Sequence, residues 1–266
     1  MQLTESEQAA VQFYEGDVQQ AQKDDPFWGD PRAYCTLNAL LFSGLRTERT
    51  RITEGKQMNS AMLSDLPRLL ELYGALFSAA KKGTQYHISA GYRVERASDF
   101  AVCREAGETL AFTSTCMSGF LPAYGDKHDI VLLTYRIPSH TPLVIFSQLL
   151  TSYLKTNEDE LLLPPFLRFR CTERPLSEDD RNITDMNGNP PLGAFVLDIL
   201  PQEQRAGADA PEMPSAEQAE AGIRLFSQLN AGYPDDALHA DDVTAYLAFK
   251  ESLQTYLRNL SALIYQ

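Results

Sequence analysis

The chain is organised around the run Asn157-Glu158-Asp159-Glu160-Leu161-Leu162-Leu163-Pro164-Pro165-Phe166. Three successive leucines read as a buried strand, and the two prolines, which cannot donate to a β-ladder, stop it. Side chains alternate along a strand, so Glu158 and Glu160 point to one face and Asp159 to the other. Two carboxylates on one face, at the lip of a buried strand, repel each other and lose solvation. Either they bind something cationic, or one holds a raised pKa, or both flare into water as a solvated strand end.

The sequence around this run changes texture twice. Residues 4–23 read as a helix, with capping-box spacing between Thr4 and Glu7, an apolar stripe of Val11, Tyr14 and Val18, and Asp24-Asp25-Pro26 at its end. A second helix is expected over 31–43, with Tyr34, Leu37, Leu40 and Leu41 on one face. Residues 44–59 read as a polar loop in which Arg46, Arg49 and Arg51 are solvated or bind an anion. A third helix, capped by Ser64, runs over 64–81 and stops at Lys81-Lys82-Gly83. Strand texture follows. His87 to Glu95 alternates, with Ile88, Ala90, Tyr92 and Val94 on one face and Arg93 and Glu95 on the other. Further strands are expected over 110–116, 130–137, 143–146, 160–163, 166–171 and 192–200, and 147–157 is a short helix or an ordered loop. Few helices separate these strands, so the sheet should be mostly antiparallel. A Pro/Ala/Glu-rich linker over 201–216 precedes helices at 215–230 and 240–264. The expected architecture is α+β: an N-terminal helical lobe (1–83), a sheet core (84–200) and a C-terminal helical extension (201–266).

Composition removes several function classes. With 44% hydrophobic residues the chain can bury a core. The formal charge of -13, with none of the segments 1–80, 81–200 and 201–266 net basic, argues against nucleic acid or an anionic membrane as general partners. No apolar run is long enough to span a bilayer, and the acidic start Met1-Gln2-Leu3-Thr4-Glu5-Ser6-Glu7 is unlike a signal peptide. Cys35, Cys103, Cys116 and Cys171 have no metal-type spacing, and free thiols are expected. Asp185-Met186-Asn187-Gly188-Asn189 fails the calcium-loop spacing and reads as a turn. No dinucleotide fingerprint, phosphate loop, nucleophile elbow or zinc-protease motif occurs. No metal is expected.

Three short motifs then stand in order on expected strands: Tyr92-Arg93; Phe112-Thr113-Ser114-Thr115-Cys116; and Glu158-Asp159-Glu160 with its leucines, prolines and Phe169. Arg93 and Ser114 are 21 residues apart, and Ser114 and Glu160 are 46 apart. This pattern resembles the R-S-E class of mono-ADP-ribosyltransferases, the cholera-toxin-like group, in its arginine-specific form with a Glu-x-Glu strand. The resemblance covers residues 84–174, and Cys116 replaces the last serine of the family's Phe-x-Ser-Thr-Ser. It implies an ADP-ribosyltransferase core, NAD as substrate, and a target protein with an accessible arginine as partner.

The resemblance also implies residue roles that the chemistry explains. Arg93 would hold the pyrophosphate, for which a guanidinium is suited. Breaking the nicotinamide–ribose bond builds positive charge on the ribose, which an ionised Glu160 would stabilise. Ser114 would orient Glu160, and Glu158 would hold the acceptor guanidinium and help remove its proton. Tyr92 and Thr115 would line the cofactor site, Phe120 would stack on nicotinamide, and Tyr153 would read the substrate. An ion pair of Arg93 with Glu95 or Glu160 is the structural alternative.

The expected function is therefore transfer of ADP-ribose from NAD to a protein arginine, by a bacterial effector or toxin that is cytoplasmic or reaches a host cytosol without a cleaved leader. The rivals are an NAD glycohydrolase, a transferase with a non-protein acceptor, and a non-catalytic binding module that docks a partner through its C-terminal helices.

Overall fold

The computed structural model describes residues 2–15, 24–28, 33–120, 127–146, 159–201 and 213–266. In chain order the helices and strands are α1 (Glu5–Glu15), α2 (Ala33–Leu41), α3 (Arg46–Thr53), α4 (Ser60–Ser64), α5 (Leu66–Lys82), β1 (Ala90–Arg96), α6 (Ala97–Ala106), β2 (Thr113–Cys116), β3 (Ile130–Arg136), β4 (Val144–Ile145), β5 (Glu160–Leu163), β6 (Phe169–Arg174), α7 (Glu178–Arg181), β7 (Gly193–Ile199), α8 (Ala216–Asn230) and α9 (Ala240–Tyr265). The chain divides into two compact units: residues 1–2 with 79–203, and residues 3–78 with 204–266.

The first unit is built on one open seven-stranded sheet in the order β4-β5-β2-β1-β3-β7-β6. Among the described residues only the β3–β7 pair is parallel. The mostly antiparallel sheet expected from the scarcity of intervening helices is therefore present. Its main core lies on one face and gathers Leu133, Tyr135, Ile145, Leu161, Leu163, Phe195 and Leu197 with Phe100 of α6. The opposite face carries a smaller cluster of Val94, Ile130, Leu132 and Ala194. The Glu160–Leu163 run forms β5 over the expected four residues, with Leu161, Leu162 and Leu163 buried. Thr109 ties down the proline turn that follows. Its hydroxyl donates to the Pro164 carbonyl at 2.9 Å and accepts from the Leu167 amide at 3.0 Å, while its carbonyl accepts from Phe166.

Several boundaries differ from expectation. Phe166 adopts a left-handed conformation (φ 70), which bends the chain, so β6 starts at Phe169 rather than at 166. Residues 97–106, assigned no structure by periodicity, form α6, which ends at Gly107 in the left-handed region (φ 69). Asp185 closes a turn rather than a metal loop: its carboxylate accepts from the amides of Asn187 at 2.8 Å and Asn189 at 2.9 Å. The expected helix or loop over 147–157 lies outside the described residues.

The second unit is helical and draws on both ends of the chain. The capping box of α1 forms as expected, with the Thr4 amide donating to Glu7 at 2.6 Å and the Glu7 amide donating to the Thr4 hydroxyl at 3.3 Å. The helix is described only to Glu15. On α2, residues 35–41 are buried without interruption, so this helix is enclosed rather than amphipathic. The helix expected over 64–81 forms as α5, Leu66–Lys82, and a separate short helix, α4, precedes it. Asn59 caps α4 by accepting from the Ala61 amide at 3.0 Å, and Asp65 rather than Ser64 accepts from the Arg68 amide at 3.3 Å where α5 begins. The arginine-rich segment expected to be a polar loop is α3. Arg49 binds Asp235 at 2.6 Å and Arg51 binds Glu54 at 3.1 Å, so neither is held ready for an anion. Helix α8 approaches its neighbours at Gly222, where a β-carbon would come within 2.8 Å of both Leu63 and Tyr246.

Candidate active site

The three motif-bearing strands β5, β2 and β1 are consecutive in the sheet. Cys116 is the cross-strand partner of Glu160 on one side and of Tyr92 on the other. Cross-strand partners share a face, and alternation then adds Ser114 and Val94 to it. On this face the Ser114 hydroxyl donates to the Glu160 carboxylate. The Met117 amide donates to the Asp159 carbonyl at 2.8 Å, extending the contact between the two segments beyond the end of β5. Tyr92 and Phe120 meet edge to face with ring centroids 5.3 Å apart, and Phe120 packs against the small cluster around Val94. Tyr92, Ser114, Phe120 and Glu160 are thus brought to one side of the sheet.

Arg93 departs from the other face. Its cross-strand neighbour on β3 is Leu133, a member of the main core. The guanidinium reaches Ser114 through the backbone: Nη1 donates to the Ser114 carbonyl at 2.7 Å. Nε donates to Glu95 Oε2 at 2.6 Å, and Nη2 lies 2.5 Å from the same oxygen. The expected convergence of Arg93 and Glu160 side chains around one cleft therefore becomes a convergence on Ser114, whose carbonyl serves Arg93 and whose hydroxyl serves Glu160. The alternation that separates Arg93 from Glu160 is a matter of register, which the spacing of motifs along the chain does not specify. Thr115 shares the Arg93 face. It is buried, with its hydroxyl 3.4 Å from the Leu161 carbonyl, and does not stand with Ser114 and Glu160. Glu158 and Tyr153, assigned to acceptor recognition, lie outside the described residues.

Two charged groups not assigned from the sequence complete the neighbourhood. Glu95 holds Arg93, accepts from the Arg96 amide at 3.0 Å, and has Lys127 Nζ at 3.7 Å. Burial pushes the Glu95 carboxyl up, but the charges of Arg93 and Lys127 and the Arg96 amide outweigh it and hold the group at about 2. Lys127 also donates to the Val94 carbonyl at 2.7 Å. The pairing of Arg93 with Glu95 was visible in their separation by two positions on one strand. The arrival of Lys127, 32 residues beyond Glu95 in the chain, had no local signal.

No group of three or more His, Cys, Asp or Glu side chains that could hold a metal ion occurs among the described residues, and no disulfide joins Cys35, Cys103, Cys116 and Cys171. No described helix is long and apolar enough to cross a membrane. No protein-family model matches the chain, and no curated protein matches it.

Proposed function

We propose that this chain transfers ADP-ribose from NAD to an arginine side chain of a target protein, releasing nicotinamide. The observation that carries the reading is the Ser114 hydroxyl donating to Glu160 across β2 and β5, with Arg93 of the next strand bound to the carbonyl of the same serine. A carboxylate fixed by a hydroxyl on a rigid sheet is preorganised to face a cationic transition state, because its orientation need not be found during the reaction. In this reading Glu160 stabilises the positive charge that develops on the ribose as the nicotinamide bond breaks. Ser114 sets its direction, and Arg93 acts by fixing Ser114. Tyr92 and Phe120 offer aromatic surface on the same face for the departing ring. Glu158 would receive the acceptor guanidinium.

The test is incubation of the purified chain with labelled NAD and a cell lysate, followed by location of the label on protein and on residue type. Labelled arginine is expected, and Glu160→Gln should lower labelling by about 100-fold or more. Labelling by that variant at the wild-type level overturns the mechanism. Release of nicotinamide with no labelled protein would make water the acceptor and the chain an NAD glycohydrolase. A further outcome concerns Glu158→Gln, which should suppress arginine labelling more than nicotinamide release.

A further inference from the structure

The ladder between β1 and β2 contains one cross-strand pair, Tyr92 with Cys116. Continuing that antiparallel register would set Val94 opposite Ser114. The backbone carbonyls of both residues accept from cationic side chains instead: Ser114 O from Arg93 Nη1 at 2.7 Å, and Val94 O from Lys127 Nζ at 2.7 Å. A guanidinium and an ammonium therefore sit where two strands would otherwise have zipped together. Both cations are gathered by one carboxylate. Glu95 Oε2 takes Arg93 Nε at 2.6 Å and Nη2 at 2.5 Å, and Lys127 lies 3.7 Å from Oε1. The carboxylate is itself fixed by the Arg96 amide at 3.0 Å. Arginine is a long side chain whose ordering costs rotamer entropy, so a charged partner that engages two of its nitrogens decides where the third can reach.

We propose that Glu95 is a positioning residue of the active site: with Lys127 it holds Arg93 in the gap between β1 and β2, and through the Ser114 carbonyl it sets the Ser114 hydroxyl against Glu160. The inference rests on the transferase reading for its catalytic consequence, while its structural consequence stands apart from that reading. With its carboxyl held at about 2, Glu95 does not titrate near neutral pH, and the hold is not a pH switch there. Its effect belongs in turnover, because Ser114 and Glu160 act on the transition state, and a misplacement of such groups by about 1 Å costs about 100-fold. Ground-state affinity for NAD should change little.

The experiment compares Glu95→Gln, which keeps size and an acceptor oxygen but loses the charge, with Glu95→Asp, which keeps the charge. Asp198→Asn serves as the control, since it removes a carboxylate from the exposed pair with Arg136 on the same sheet. Nicotinamide release from NAD gives kcat and KM, and nuclear magnetic resonance gives the solvent exchange of the Arg93 Nε–H. Glu95→Gln should lower kcat about 10- to 100-fold with KM for NAD held within about threefold. Glu95→Asp should recover part of the loss, and Asp198→Asn should match wild type. The Arg93 Nε–H should exchange about tenfold faster in Glu95→Gln, because its charged acceptor is gone. A wild-type kcat in Glu95→Gln overturns the proposal, as does a loss carried wholly by KM. Should Glu95→Gln not fold, Lys127→Met decides: a several-fold fall in kcat supports the cluster, and an unchanged kcat overturns it. Should the wild-type chain release no nicotinamide, the transferase reading falls, and the exchange of the Arg93 Nε–H alone judges the clamp. Faster exchange in Glu95→Gln then supports it, and unchanged exchange overturns it.

Discussion

At Gly91 a single methyl group is enough to disturb the site. A β-carbon there would lie 2.5 Å from the Thr115 hydroxyl oxygen and 3.6 Å from a Leu161 methyl. β1 and β2 approach this closely just before they part, so the absence of a side chain at Gly91 lets Arg93 begin its reach from close to β2. Gly91→Ala should destabilise the fold by about 1–3 kcal/mol through overpacking. Thr115→Ala in the same chain should recover part of that loss, and thermal melts of the three variants check the claim. Glu95 offers a second residue-level test. Its carboxyl is shifted from 4.5 to about 2: burial acts upward, and Arg93, Lys127 and the Arg96 amide act downward more strongly. A folded pKa below the unfolded one means that the contribution to stability is complete above about 4.5 and is lost as pH falls through about 2. The Tm difference between wild type and Glu95→Gln should therefore be widest near neutral pH and shrink as the pH drops from 4.5 toward 2. An equal difference at the two ends of that window would count against the assigned partners.

Elements whose boundaries rest on local chemistry behave as their sequences demand. The short helix α7 is an example. The Ser177 hydroxyl accepts from the Asp180 amide at 3.1 Å, and the Asp180 carboxylate accepts from the Ser177 amide at 2.7 Å, a reciprocal capping box. Arg174, at the end of β6, donates to both oxygens of Asp180 and holds its carboxyl far below the usual range, outweighing the upward push of burial. One carboxylate thus closes a helix and ties it to the preceding strand. Ser177→Ala should cost about 1 kcal/mol, seen as a fall in the denaturation midpoint. The helices α3 and α6 are the opposite case. The single residue of α6 that is fully buried is Phe100, which meets Phe195 at a centroid distance of 4.7 Å. Ala97 and Cys103 flank it against the same core but are only partly buried, so the apolar face of α6 is weak. On α3 the buried side chain is a glutamate, so hydrophobic periodicity had nothing to register.

That glutamate matters at the level of the whole chain. Glu48, fully buried, accepts from Lys250 Nζ at 2.6 Å and from the Tyr246 hydroxyl at 2.7 Å, while Lys250 also donates to the Gly44 carbonyl at 2.8 Å. The pair joins residues 202 positions apart and ties the C-terminal helix to the N-terminal segment. Burial lowers the Lys250 pKa, and Glu48 only partly offsets it. Lys250→Met would leave a buried carboxylate without its counter-ion, at a cost of about 3–5 kcal/mol. The double variant Glu48→Gln with Lys250→Met should lose less than the two single losses added, a non-additivity that denaturant titration can measure. Strict additivity would mean that the two charges do not stabilise each other. The same packing bears on the C-terminal helices as a docking surface. Tyr246, Phe249, Leu253 and Leu257 of α9 are buried, so that part of the helix offers no docking face, whereas Leu263 near its end is 42% exposed.

What neighbours along the chain determine was legible in the sequence. The alternation of β1, the leucine strand stopped by two prolines, the Thr4–Glu7 cap and the order of Arg93, Ser114 and Glu160 all depend on spacing alone. Tertiary structure decided which groups meet across that order. The register of β1 against β2 turned Arg93 to the face opposite Glu160 and made Ser114 their common point, through its carbonyl and its hydroxyl respectively. Tertiary packing also brought Lys127 to Glu95 and Lys250 to Glu48. The reason is physical: a backbone dihedral and a capping hydrogen bond are settled within a few residues, whereas the partner of a charge depends on strand pairing and helix packing, which no local stretch of chain contains.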